Sequence, residues 1–387
     1  MRKTINIGDL GTIITGKTPP TTNKNYYGDY AVFIKPTDIS EQSKYTYETE
    51  EMYSKLAAEK YESSLIPKGA ICVPCIGTIG TKMTMTPCDC YTNQSINSII
   101  CNENYDNEYV YYLIKNFLPG LKAYNLGTAS GREYVSKSNF EKIELVAEQD
   151  QEIQKKIGII LSRYDSLIEN YQKQIKLLEE AAQRLYKEWF IDLHFPGHEN
   201  TKIVDGVPEG WEKKKVGDIT PIITGKKDAN FGTPDGEYPF FTCSQEPIKA
   251  PSFSFDCAAV LLAGNGDFNV KLYRGRFEAY QRTYVLSPYI DSHLYLLFYT
   301  ISANMTKLAA GSSGSTIKFL TKGMIDGINL NVPNDEILRS FNKKVEPIQS
   351  SRESLQSQLR LLTEARDRLL PKLMSGEITI LKFRNWF

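Results

Sequence analysis

The residues of this chain best suited to chemistry are cations and amides set in short loops bounded by glycine. Lys17 follows Thr15-Gly16, and Lys226-Lys227 follow Thr224-Gly225 at a matching place. Gly77-Thr78-Ile79-Gly80-Thr81-Lys82 is a small-residue loop offering backbone amides, the Thr78 hydroxyl and the Lys82 ammonium. Gly127 to Arg132 forms another, with Lys137 close behind. Gln94 lies between Asn93 and Ser95, and Lys35 follows the apolar run 31–34. Farther along, Lys271, Arg274, Arg276, Gln281, Arg282 and Lys318 gather around Tyr273, Tyr280 and Tyr284. Lys and Arg neutralise phosphates, while Gln, Asn and Arg read base edges through paired donors and acceptors. The same residues also suit solvated turns on a small domain, because surface charge is common.

Other chemistries find less support. Thr18-Pro19-Pro20-Thr21 lacks the amide or carboxylate, and the aromatic, of a methyltransferase catalytic loop. Gly16-Lys17-Thr18 has the final triplet of a phosphate-binding loop, but no long helix is expected behind it. Cys72-x-x-Cys75 and Cys88-x-Cys90 have the outline of a zinc site. Their counterparts in an internal repeat are Ala259, Leu262, Gly275 and Phe277, so the thiols are expected to act as small hydrophobes. Three histidines, two of them in a polar linker, suggest no nucleophilic triad. Asp165 and Glu169 are expected on a solvated or partner-facing side of a helix.

These loops need elements to position them. Residues 149–191 read as one amphipathic helix of about 60 Å at ~1.5 Å per residue. Apolar residues recur at steps of three and four through Ile153, Ile157, Ile160, Tyr164, Leu167, Tyr171, Ile175, Leu178, Ala182, Leu185 and Trp189. That is a coiled-coil seam with one slip, and so long a stripe needs a partner. Residues 335–374 supply it. Leu177-Leu178-Glu179-Glu180-Ala181 matches Leu361-Leu362-Thr363-Glu364-Ala365 at a shift of 184 (361 − 177), and Glu152-Ile153 matches Glu336-Ile337 at the same shift. A constant shift over a whole helix argues for duplication. The opening repeats as well: Gly8-Asp9 and Thr15-Gly16-Lys17 return as Gly217-Asp218 and Thr224-Gly225-Lys226, shifted by 209 (217 − 8). Pro347 lies inside the second helix, where a break or kink is expected.

The whole chain has 387 residues, with 46 basic and 46 acidic. A neutral total excludes no nucleic-acid partner, since placement of charge decides binding. The 41% hydrophobic content supports real cores. No run approaches a membrane span and no signal peptide is evident, so a cytoplasmic location without membrane partners is expected. Seven cysteines suit reduced thiols. The expected class is α+β: two globules, each followed by a long helix, in a pseudo-two-fold arrangement on an antiparallel coiled coil. Such a chain is a ruler between two similar but non-identical surfaces, and DNA rewards fixed spacing of two reading heads.

Several features together make the chain resemble a type I restriction-modification specificity subunit. They are the repeated Gly-Asp to Gly-Lys opening, Gly77-Thr78-Ile79-Gly80, Asn93-Gln94-Ser95-Ile96 and Gln281-Arg282-Thr283, and the two helix ends. These ends run Leu185 to Asp192, with Phe195-Pro196 and Val207 to Trp211 beyond, and Leu369 to Ile378. The resemblance implies target-recognition domains at 1–148 and 211–333. It implies conserved helical regions at 149–193 and 334–376, a linker at 194–210 and a tail at 377–387. Each recognition domain would bind half of a bipartite, asymmetric site in double-stranded DNA. The helices would set the spacer and dock two methyltransferase subunits, with Lys173, Lys176, Glu180, Gln183 and Lys187 as the docking face. Those partners would carry S-adenosylmethionine and methylate adenine, and motor-nuclease subunits would join for restriction. The chain itself would hold no cofactor or metal and perform no catalysis. The specificity subunit of a type II-like methylating nuclease, and a coiled-coil scaffold with protein-binding globules, are the other readings open.

Overall fold

The computed structural model describes residues 2–127, 133–312 and 318–379. The chain divides into two compact units, Met1–Lys173 with Gln356–Phe387, and Gln174–Leu355.

The first unit begins with β1 (Arg2–Asn6) and β2 (Gly11–Thr15). β3 (Tyr27–Ile34), β4 (Met52–Tyr53) and helix α1 (Lys55–Lys60) follow, then β5 (Ile71–Pro74), β6 (Thr84–Met85), β7 (Tyr91–Thr92) and β8 (Ile96–Cys101). Helices α2 (Asn107–Phe117) and α3 (Lys137–Glu141) lead to β9 (Glu144–Glu148). β1 pairs antiparallel with β9, which delivers the chain to the long helix α4 (Gln151–Tyr186). The main sheet has the order β2-β8-β5-β6, and β4-β3-β7 forms a second sheet. The apolar run at 71–74 becomes a strand buried on both faces, as a continuous apolar run should, and β8 is buried over 96–99 although Asn97 and Ser98 are polar. Cys72, Cys75 and Cys90 are buried among them, and Cys72 Sγ lies 3.2 Å from Ser98 Oγ. They pack as small hydrophobes. Cys88 is exposed. Among the described residues no group of three or more His, Cys, Asp or Glu is placed to hold a metal ion.

The second unit repeats this frame. A small hairpin, β10 (Ile203–Val204) and β11 (Val207–Pro208), turns at Asp205-Gly206, both at positive φ. It occupies the stretch expected to be a plain linker, and the Asp-Gly pair was its signal. β12 (Glu212–Lys215) then precedes α5 (Val216–Ile219), β13 (Ile222–Thr224), β14 (Tyr238–Phe241) and β15 (Ile248–Ala250). β16 (Phe255–Ala263), β17 (Val270–Ala279) and β18 (Thr283–Leu286) complete the sheet. α6 (Leu294–Gly311), α7 (Lys322–Asp326) and β19 (Asn329–Val332) lead to the second long helix, α8 (Asp335–Ser375). β12 pairs with β19 as β1 pairs with β9. β14 lies parallel to β17, with Phe240 beside Glu278, as β3 lies parallel to β7, with Phe33 beside Tyr91. One difference makes a single sheet of six strands here, β13-β18-β16-β17-β14-β15. β17 runs unbroken where residues 86–90 separate β6 from β7. Gly275, at φ 118, carries it through the position that matches Cys88 (275 − 88 = 187).

Both long helices start from matching caps. Asp150 Oδ1 accepts from the amides of Glu152 and Ile153, and Asn334 Oδ1 accepts from that of Ile337. In the first unit α4 covers the core with Ile157 and Leu161, beside Leu370, Leu373 and Met374 of α8. In the second, Ala182 and Tyr186 of α4 meet Leu338, Phe341 and Val345 of α8. Phe190 packs on Phe341 and on Trp211, with ring centroids 4.7 and 5.7 Å apart, and Phe195 packs on Trp211.

Two expectations are corrected. The break expected at Pro347 is absent, since α8 is helical without interruption through it. Val345 and Gln349 on either side are buried, and tertiary packing outweighs the backbone bond that proline removes. The buried stripe in the first half of α4 runs through Ile157, Leu161, Asp165 and Ile168, while Leu167 of the expected seam is 45% exposed. Asp165 is thus interior rather than solvated, because the helix faces α2 as well as α8.

Candidate nucleic-acid interface

Sheet register decides which loops meet. In the first unit Thr15 at the end of β2 lies opposite Asn97 at the start of β8, and Pro74 at the end of β5 lies opposite Ile96. The loops after β2, before β8 and after β5 therefore emerge at one end of the sheet. They carry Lys17, Gln94, and Thr78 with Lys82. Lys17 donates its backbone amide to Thr92 O at 2.9 Å, and the Thr18 hydroxyl meets Gln94 Oε1. Cys75 N donates to Ser95 O at 2.7 Å, which seats the Gly77–Lys82 loop beside them. Glu133 shapes that loop by accepting from the Ile79 amide. Lys17, Thr78 and Gln94 are exposed and Lys82 is half-buried.

The second unit makes the same end. Thr224 of β13 lies opposite Tyr284 of β18, and Ala263 of β16 lies opposite Thr283. Lys226 and Lys227 follow β13, and Gln281 and Arg282 precede β18. Gln281 N donates to Lys227 O at 3.0 Å, and Gln281 Nε2 donates to Asp228 Oδ1 at 2.6 Å. Lys226, Gln281 and Arg282 are exposed, and Lys227 Nζ lies 4.4 Å above the Phe231 ring. Lys318 joins from the neighbouring segment, because Asn265 bridges to Phe319.

A glycine permits each approach. An added Cβ at Gly16 would stand 2.1 Å from Thr92 O, and one at Gly225 would stand 1.9 Å from Ala279 O. The repeated Gly-Lys pairs and the glutamine-bearing loops thus touch in both units.

The remaining cations are placed differently. Lys35 follows β3 beside the same loops, since Asn93 N donates to Ile34 O, but its ammonium lies 2.9 Å from Glu51 and 3.3 Å from Glu50. Burial works against that charge, and these two carboxylates prevail and raise its pKa. Lys271 is the second residue of β17, where it donates to Ser244 O and to Asn269. Burial lowers its pKa. Arg274 and Arg276 lie farther along β17 and away from the sheet end: Arg276 pairs with Asp256 at 3.1 Å, and Arg274 reaches Glu346 and the Tyr295 ring. Lys137 opens α3 and stands 3.6 Å from Glu141. Arg132 lies outside the described residues.

Reading the sequence alone missed Thr18 and Asp228, the side chains that hold the two glutamines. Their only signal was nearness to the Gly-Lys pairs. Gly11 also stands five residues before Gly16, so the phosphate-loop spacing is complete through Thr18. The structure still excludes such a loop: Gly11–Thr15 is a strand laddered to β8, and only a three-residue 3-10 turn, Lys24–Tyr26, stands between it and β3. A polar cavity of about 170 Å³ opens beside Lys44, Glu108 and Asp165. Glu108 and Asp165 there are paired with Lys44 and Arg366, and Glu169 is the third carboxylate of the lining.

Lys173, Lys176, Glu180 and Gln183 of α4, and Lys187 in the π turn that follows it, are all exposed and recur at steps of three and four. Lys173 Nζ lies 5.8 Å from the Tyr47 ring, and Lys187 pairs with Asp192 at 2.5 Å. Among the described residues no helix is long and apolar enough to cross a membrane.

Comparison with known proteins gives a consistent result. The family described as type I restriction modification DNA specificity domain matches residues 2–180 and 208–351. The chain is 26% identical to the type I restriction enzyme MjaIX specificity subunit of Methanocaldococcus jannaschii, covering 97% of this chain and 93% of that one. It is 36% identical to the EcoDI specificity subunit of Escherichia coli over 45% of this chain and 40% of that one. The crystal structure of the type I restriction-modification S subunit from M. genitalium superposes with a TM-score of 0.65 at 16% identity, covering 96% of both chains. At that identity the likeness shows the fold.

Proposed function

The chain belongs to the type I restriction-modification DNA specificity family, and on that premise we propose how its parts divide the work. It is a non-catalytic specificity subunit with two recognition domains. Residues 1–148 and 211–333 are those domains, and each binds one half of a bipartite, asymmetric site in double-stranded DNA. The helical regions 149–193 and 334–376 set the spacer, with 194–210 as linker. The exposed face of Lys173, Lys176, Glu180, Gln183 and Lys187 docks one of two methyltransferase subunits, which bind S-adenosylmethionine and methylate adenine in the cytoplasm. Motor-nuclease subunits complete the restriction complex.

One observation carries the reading of the interface: in both units the Gly-Lys pair and the glutamine loop converge at the same end of the sheet. A lysine there neutralises phosphate, and the neighbouring amide lies within reach of base edges. Lys17, Thr78, Lys82 and Gln94 form the first reading head. Lys226, Lys227, Gln281, Arg282 and Lys318 form the second. Lys35 and Lys271 support the loops through their partners, and Arg274, Arg276 and Lys137 contribute only outlying charge.

The test is adenine-methylation mapping in a host that expresses this chain with the methyltransferase encoded beside it. A bipartite motif that disappears when the chain is deleted is the expected outcome. Retention of every methylated motif, with the complex intact, would overturn it and favour a scaffold that binds other proteins.

A further inference from the structure

Both units hold a glutamine at the same place, and they hold it differently. Gln94 and Gln281 are related by a shift of 187 (281 − 94), and both are exposed on the loop entering the second strand of the sheet. Gln94 meets the Thr18 hydroxyl. Gln281 meets the Asp228 carboxylate, with Nε2 to Oδ1 at 2.6 Å. A hydroxyl donates or accepts, so Thr18 tolerates either orientation of the Gln94 amide. An ionised carboxylate only accepts, so Asp228 fixes which end of the Gln281 amide it binds. One N–H is committed to Asp228. The carbonyl Oε1 and the second N–H have no partner among the described residues.

We propose that Gln281, oriented by Asp228, reads an adenine in the half-site bound by the second unit, an assignment that rests on the specificity-subunit reading. The amide presents one acceptor beside one donor. In the major groove adenine offers the complement, a donor at N6 beside an acceptor at N7. Guanine offers two acceptors, cytosine a donor alone, and thymine an acceptor beside a methyl group. Adenine alone satisfies both free atoms of Gln281. Exposed Lys226 and Arg282 flank the position and supply cations for the adjoining phosphates. Asp228 touches no base in this scheme: it is a positioning residue.

The experiment maps adenine methylation directed by the full chain, by Q281A and by D228N, each with its methyltransferase. Wild type is expected to give an adenine at a discriminated position of one half-site. Q281A is expected to relax that position, losing about tenfold or more of the discrimination against other bases, and to leave the other half-site unchanged. D228N, whose amide donates or accepts, is expected to broaden the same position and no other. A merely structural role would weaken the whole half-site instead. Unchanged discrimination in both variants overturns the assignment, as does relaxation at a position that is not adenine. Should Q281A direct no methylation, D228N decides by the same criterion, and loss of all methylation by both variants in an assembled complex also counts against the assignment. A wild-type chain that specifies no motif overturns the specificity reading itself, so the two failures are distinguishable.

Discussion

Asp165 of α4 and Arg366 of α8 lie 201 residues apart in sequence and form a buried ion pair, with Nη1 donating to Oδ1 at 2.6 Å. Each is 7% exposed. The other carboxylate oxygen accepts from the Tyr112 hydroxyl of α2 at 2.5 Å. Burial, and then the Asp165 charge, push Tyr112 well above the usual phenol range, so it remains a donor. One carboxylate therefore ties a helix of the recognition domain to both long helices within the first unit. The repeat preserves the contact and changes its charge. Tyr112 and Asp165 correspond to Tyr299 (299 − 112 = 187) and Gln349 (349 − 165 = 184), which are hydrogen-bonded in the second unit. Arg366 corresponds to Ala182 (366 − 182 = 184). A neutral glutamine needs no paired cation, and the nearby Arg352 is held by Glu179 instead.

Replacing Arg366 by alanine strands the Asp165 charge in the interior. Breaking a buried pair from one side costs about 3–5 kcal/mol. We expect the urea midpoint of R366A to fall sharply, and D165N combined with R366M to recover much of the loss. R360A, which breaks the exposed Arg360–Glu364 pair, is expected to change stability by less than ~0.5 kcal/mol. Equal falls in R366A and R360A would show that burial does not set the energy.

The close glycines make a second prediction. G16A and G225A place a Cβ within 2.1 and 1.9 Å of backbone carbonyls, so the reading loops must shift. Both variants are expected to melt earlier than wild type and to lose DNA affinity. G323A is the control, since nothing lies within 4 Å of its added Cβ. In the short helix α7 an alanine is expected to be neutral or to stabilise by about 0.5–1 kcal/mol. Calorimetry and DNA titration of the assembled complex check all three.

The duplicated frame was legible because both long helices keep one constant shift and both openings keep Gly-Asp and Gly-Lys. The Gly-Lys and glutamine loops were legible for the same reason. Thr18 and Asp228 were not, since a hydroxyl or carboxylate beside a turn looks like an ordinary turn former. Nor did periodicity find the true stripe of α4. A three-four spacing marks a seam but does not say what lies against it, and α4 serves two neighbours. Leu161, Asp165 and Ile168 are buried where Ile160, Tyr164 and Leu167 were expected. The division of one sheet into two was equally hidden, since it turns on whether the chain passes straight through Cys88 or Gly275.

Charge placement predicts salt dependence. Each phosphate contact removed from the complex lowers the magnitude of the log–log salt slope by about 1. K17A and K226A are expected to show that change on DNA carrying the methylated motif. R276A is expected to leave the slope unchanged, since Arg276 is paired with Asp256 away from the sheet end. Binding isotherms over a range of salt concentrations decide the matter, and an altered slope for R276A alone would move the interface along β17.

His293 gives the chain an acid sensitivity. It lies buried ahead of α6, and its Nδ1 has no hydrogen-bond partner among the described residues. Burial lowers its pKa, Lys214 on β12 lowers it further, and Asp335 on α8 opposes them. The unfolded chain therefore takes up this proton first, near the ordinary value of about 6.5. Between that value and the lowered folded value, unfolding is favoured as pH falls. The contribution is fully present above about pH 6.5 and is lost progressively below it. H293Q removes the titrating group, so its melting temperature is expected to fall less than that of wild type between neutral pH and about pH 5. Parallel curves for the two proteins would assign the acid loss to other groups.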